Sequence, residues 1–215
     1  MPAGTQRIAF AQWKGGAGKT TLAINVAAEL SHRGRAISLI DADPQRSACA
    51  WAELGRLPFP VWEIPLDEVH RDGWGGVLDV VESKLVVLDT APNPRTLPAV
   101  VAVSSLLVVP CTPSGLDLEA TRQTLEVIEE ERRRQQRAVA TIIVPNRVDM
   151  RTLEGRQFAE ELRSLGGVVG PPVGHRVALV RAFTSGQSIG DFARDSMAAR
   201  EIEQLCSFIE LNLML

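Results

Sequence analysis

Six short β-branched or aliphatic runs in this chain read as strands, and several are apolar at nearly every position: Arg7 to Gln12, Ala36 to Ile40, Val61 to Ile64, Leu85 to Leu88, Leu106 to Val109 and Ala138 to Val144. Strands covered on both faces need no polar side, so such runs predict a buried parallel sheet. Between them, helical spacing predicts helices over Lys19 to Arg33, Gln45 to Leu54, Gly76 to Ser83, Asp117 to Gln135 and Leu153 to Leu165. Strand followed by helix, repeated, implies right-handed crossovers and an α/β fold with helices on both faces of the sheet. The last third is less regular. Gly166 to Gly174, with Pro171 and Pro172, reads as a loop, and Ala198 to Leu213 as a terminal helix. The uncharged stretch from Thr96 to Leu116 is long enough to span a bilayer, but Pro98, Pro110 and Pro113 interrupt it. A buried helix running into the strand at Leu106 is the better reading.

Composition narrows the class. The 215 residues are 45% apolar and 23% charged, with a formal charge of −3. That excludes holding nucleic acid by bulk positive charge, though not by a local patch. Cys49, Cys111 and Cys206 are odd in number and far apart, forming neither a disulfide framework nor a CxxC metal pair, which fits a reducing cytosol. No repeat, low-complexity tract or linker divides the chain, so residues 1–215 are expected to form one domain. No targeting segment is visible; the apolar run from Ile8 is broken by Lys14.

The strongest chemical signal follows the first strand: Lys14-Gly15-Gly16-Ala17-Gly18-Lys19-Thr20-Thr21, opening a helix. Glycines let the backbone wrap an anion and aim N–H groups inward, and the helix adds its positive end. Lys19 would neutralise the β and γ phosphates of ATP, and the Thr20 hydroxyl would ligate Mg²⁺. The ordinary phosphate-loop pattern wants glycine where this chain has Trp13, and here a second lysine, Lys14, begins the loop. KGGAGKTT resembles the deviant Walker A motif of the ParA/MinD superfamily of ATPases. The resemblance implies a P-loop fold and a homodimer in which Lys14 of each subunit crosses to the nucleotide held by the other. Trp13 departs from the small or polar residue more usual there.

Two carboxylate motifs continue the resemblance. The second strand ends in Asp41-Ala42-Asp43-Pro44-Gln45, at the sheet edge where α/β proteins bind ligands. The string resembles the family's DxDPQ motif, which implies that Asp43 positions or deprotonates the attacking water while Asp41 sits near the Mg²⁺ shell. The strand Leu85 to Leu88 closes on Asp89-Thr90-Ala91-Pro92, a Walker B arrangement in which Asp89 holds the metal. Pro145-Asn146-Arg147-Val148-Asp149 follows another strand and resembles a base-reading turn, which implies that Asn146 touches adenine.

The superfamily divides by partner. The resemblance to ParA implies non-specific DNA binding by the ATP-bound dimer, a cytoplasmic, nucleoid-associated location, and hydrolysis triggered by a ParB-like adaptor or cargo protein. The cargo would be a plasmid or a protein assembly such as a carboxysome or chemoreceptor cluster. With only three lysines in the chain, two of them in the loop, arginines must carry a DNA patch. Arg176 and Arg181 are the first candidates, with Arg147, Arg151 and Arg156 in reserve. Arg132 to Arg134 follow Glu129 to Glu131 at a helix end, where cations complement the helix dipole. A MinD-like membrane helix is the alternative, but the tail carries Glu201, Glu203 and Glu210, the wrong sign for anionic lipid. A metabolic ligase on the same fold would want an added substrate pocket and usually lacks Lys14 and DxDPQ. The cysteines do not match an iron–sulfur relative, and the absence of tyrosine excludes a tyrosine autokinase. The loop begins too early for a preceding helix-turn-helix domain, as in the short ParA class.

Overall fold

The computed structural model describes residues 5–69 and 72–213. In chain order it contains β1 (Gln6–Phe10), α1 (Lys19–His32), β2 (Ile37–Asp41), α2 (Ser47–Ala52), β3 (Val61–Glu63) and α3 (Trp74–Val77), which passes into a 3-10 turn at Leu78–Val80. There follow β4 (Leu85–Asp89), α4 (Leu97–Val103), β5 (Leu106–Cys111), α5 (Gly115–Gln135), β6 (Ala140–Val148) and α6 (Leu153–Ser164). The last elements are β7 (Val168–Val169), β8 (Val173–Gly174), α7 (Val177–Thr184), α8 (Ile189–Phe192) and α9 (Met197–Leu213). The strands form one parallel sheet in the order β3-β2-β4-β1-β5-β6-β7, with β8 paired to β6.

Strand alternation sends successive side chains into two different cores. Ile8, Phe10, Leu39 and Val87 face α1, α7, α8 and α9, while Ala9, Ile40, Val86 and Leu88 face α3, α4 and α5. All of these strand residues are buried. The uncharged stretch resolves into α4 and β5, both packed into the sheet. Among the described residues no helix is long and apolar enough to cross a membrane.

Several boundaries differ from expectation. Residues 166–174 are not a plain loop: β7 extends the sheet edge and β8 pairs with the end of β6, at Asn146↔Val173 and Val148↔Gly174. That partner carries β6 past Pro145 to Val148, so Asn146 lies in a strand rather than in a turn after it. Arg147 takes a left-handed conformation at the irregularity, φ 57°. The helix expected at Gly76 begins instead at Trp74 and tightens into a 3-10 turn at Leu78, ending at Val80. Helices α7 and α8 had no expected counterpart.

The tail helix α9 buries Ile202, Leu205, Ile209 and Leu213 against α1 and its neighbours. Its Glu210 receives Arg33 at 2.7 Å and Arg35 at 2.9 Å from the end of α1 and the residues after it. The apolar stripe that an interfacial helix would offer to lipid is already inside the core.

Candidate nucleotide-binding site

The centre of the sheet delivers the loop. β1 ends at Phe10, and the chain turns through residues 11–18 before α1 starts at Lys19. Gly16 and Gly18 adopt φ of 80° and 99°, which L side chains rarely reach. At Gly18 a Cβ would also collide with the Asn146 carboxamide, whose Nδ2 donates to Ala17 O at 2.7 Å. Helix α1 has no side-chain cap and no acidic residue in its first turn. Its first N–H groups are therefore left without a side-chain acceptor, the situation an anion resolves.

Charge is concentrated just behind. Lys19 is only 6% exposed, and burial holds its ammonium below the usual lysine range against the opposing pull of Asp89 and Asp43. Asp89 is fully buried, with neither carboxylate oxygen in a hydrogen bond of ordinary geometry. Burial pushes its pKa up to about 7, against the pull of the neighbouring Thr20 hydroxyl and Lys19, with Asp41 and Asp43 adding to the rise. An unpartnered buried carboxylate beside a threonine hydroxyl fits a hard divalent cation. Mg²⁺ is bound by one or two carboxylates together with substrate phosphates, not by a protein cage. Accordingly, no cluster of three His, Cys, Asp or Glu that could hold a metal occurs among the described residues.

Asp41 is used differently from Asp89. Its Oδ1 accepts from the Asp43 N–H at 3.2 Å and its Oδ2 from the Cys49 N–H at 2.9 Å, so both oxygens brace the turn into α2. Asp43, partly exposed, accepts from the Gln45 N–H at 2.9 Å through Oδ1. The first carboxylate thus sets the loop that presents the second.

Lys14 points to a partner that sequence reasoning missed. Its Nζ lies 2.8 Å from Asp117 Oδ1, at the start of α5, and its side chain remains 39% exposed. Asp117 also receives the Thr112 hydroxyl and, at 2.8 Å, the Ser114 hydroxyl on Oδ2. Burial would raise its pKa, but the bonds from Lys14, Thr112 and Ser114 outweigh this and hold the carboxyl below its usual range. The available signal was Ser114-x-x-Asp117, a helix-capping pattern: Ser114 Oγ accepts the Asp117 N–H at 3.1 Å.

Beside Gly18 and Thr21 opens a cavity of about 370 Å³, lined also by Asn146, Arg176, Val180 and Phe183. The five arginines singled out from the sequence do not form one free patch. Arg176 pairs with Glu201 at 2.6 Å and Arg151 with Asp149 at 2.7 Å. Arg147, Arg156 and Arg181 are exposed, with no ion pair closing on any of them among the described residues. Arg132, Arg133 and Arg134 pair with Glu129 and Glu131 on their own helix.

Residues 8–189 match the model of the CobQ/CobB/MinD/ParA nucleotide binding domain. The chain is 31% identical to the Maintenance of carboxysome distribution protein A of Halothiobacillus neapolitanus, covering 92% of this chain and 93% of that one. It is 30% identical to the chromosome-partitioning ATPase Soj of Thermus thermophilus, covering 95% of each. Among solved structures, apo McdA of Cyanothece superposes with a TM-score of 0.79 over 95% of this chain and 99% of that one, at 14% identity.

Proposed function

Because the chain belongs to the CobQ/CobB/MinD/ParA nucleotide-binding family, we propose that it is an ATP-driven dimerising switch that positions a cargo on non-specific DNA. It is an ATPase of that family, related to positioning proteins of the ParA type. The finer reading assigns each group a task. The loop amides of residues 15–21 and Lys19 bind the phosphates, and Asn146 with the adjoining cavity receives the base. Thr20 and Asp89, with Asp41 behind them, would hold Mg²⁺, which supplies positive charge to the β and γ phosphates. Asp43 orients and deprotonates the attacking water. Lys14 reaches the triphosphate of the second subunit, as an arginine finger does in related hydrolases.

One observation carries this reading. In the single chain Lys14 is engaged by Asp117 at the rim and is partly exposed, while the phosphate cradle behind it is served by Lys19. A lysine so placed is available to a partner molecule. Three of the arginines, Arg147, Arg156 and Arg181, remain free to meet DNA phosphates, with a ParB-like adaptor or the cargo acting as the release signal. The membrane alternative is disfavoured by the burial of the α9 stripe.

A gel shift on unrelated duplex DNA with ATP, with ADP and without nucleotide, run beside a liposome pelleting assay, tests the proposal. The expected result is a shift with ATP alone and no pelleting. Pelleting without a shift would replace DNA by membrane, and neither response would leave a metabolic ATPase.

A further inference from the structure

The buried face of α5 carries polar residues where a packed helix ordinarily carries apolar ones. Asp117, Thr121 and Thr124 recur at helical spacing, are all buried, and give way to Ile128 farther along the same face. Each meets the residues that begin the phosphate loop. Gln12, 2% exposed, donates through Nε2 to Thr121 Oγ1 at 2.9 Å and to Pro110 O at 3.0 Å. Thr124 Oγ1 lies 2.8 Å from both Gln12 Oε1 and Ala120 O, sharing its proton between them, and accepts the Trp13 N–H at 3.1 Å. Lys14 then reaches Asp117. Residues 12, 13 and 14 are thus fixed in turn by one side chain, one backbone amide and one ion pair, all to a single helix.

The geometry points to Gln12 and Thr124 as positioning residues for Lys14. They clamp the backbone before the lysine so that only its side chain swings when the lysine exchanges Asp117 for a triphosphate. Both hydroxyls back-bond the carbonyl four residues earlier, Thr121 to Asp117 O and Thr124 to Ala120 O at 2.8 Å each, so their protons are met within the helix and their second contacts, to the loop, need a reason of their own. The clamp supplies one. It acts on Lys14 and not on the cradle, because Lys19 and the glycines lie beyond the pivot, held instead by Asn146 and α1. This inference rests on the proposed reach of Lys14 between subunits.

Thr124→Val keeps the shape, removes the hydroxyl and leaves Gln12 and the Trp13 N–H short of a partner. The expected result is unchanged affinity for a fluorescent ADP, with the ATP concentration for half-maximal pairing on a sizing column raised about tenfold, the scale of one lost buried hydrogen bond. Thr124→Ser, which retains the hydroxyl, should pair as the parent does. Unchanged pairing in the valine variant overturns the inference, as does a parallel loss of ADP affinity, which would mean general damage to the loop. If the valine variant is not recovered folded, Thr124→Ala carries the same comparison. Lys14→Ala separates the two levels. If that variant still pairs with ATP, the reach between subunits fails and the clamp with it; if it does not pair and Thr124→Val does, the clamp alone fails.

Discussion

Lys19 and Lys14 stand on the same loop in opposite electrostatic circumstances. Lys19 is buried, held below its usual range, and faces an Asp89 carboxylate that no ordinary hydrogen bond satisfies. Lys14 is partly exposed and its bond is complete, to an Asp117 held by two further hydroxyls. One end of the loop is unfinished without a ligand, while the other must give up a partner to act. The comparison teaches that binding and pairing draw on different groups. The cradle is organised by its own deficit, whereas the rim has a competing arrangement that a second subunit has to displace.

The largest test of that contrast is Lys14→Ala. It should leave the fold and ADP binding intact, abolish ATP-dependent pairing on a sizing column, and lower partner-stimulated phosphate release by about 10³. Asp43→Ala comes next: turnover should drop about 100-fold, as for loss of a general base, with the ATP-bound dimer accumulating on DNA. Unchanged turnover would remove Asp43 from the chemistry.

Asp89→Asn probes the unfinished end through stability. The folded-state pKa near 7 lies above the ordinary 3.8, so the folded chain holds the proton more tightly than the unfolded one. Stability from this group therefore falls as pH rises from about 4 through 7. The amide removes that penalty, so the nucleotide-free variant should be ~1–2 kcal/mol more stable at pH 8 by denaturant melts, with the gain shrinking toward pH 5. Its ATP hydrolysis should nevertheless be lost. The smallest effect belongs to Asp117→Asn. A partly exposed ion pair contributes ~0.5–1 kcal/mol, so freeing Lys14 should lower the ATP needed for half-maximal pairing about two- to fivefold. A rise instead would make Asp117 a guide for the lysine and not its competitor.

The legible parts of this site were those written locally. Glycines at 16 and 18, the lysine after them and the carboxylates ending β2 and β4 are adjacent in sequence to the strands that place them, so pattern and geometry coincide. The face of α5 was not legible. Asp117, Thr121 and Thr124 are polar and carry no apolar signal of burial, and only the strand order reveals that β1 and β5 lie together and bring that side against the loop. The same distance in sequence hid β8. Val173 and Gly174 sit among glycines and prolines, and they count as a strand only because β6 reaches them. For Arg176 the pattern showed a cation but not the Glu201 that receives it from α9.

That last helix has a consequence for how the molecule can be handled. α9 lies along α1, whose opening turn carries Lys19 and Thr20, and the two are riveted by Glu210 to Arg33 and by the Cys206 thiol against the Val26 carbonyl. Disrupting α9 would loosen the floor beneath the phosphates from the far side of the core. Substitutions at the buried positions of α9 should read out as defects in nucleotide capture, though none of the altered atoms lies in the pocket.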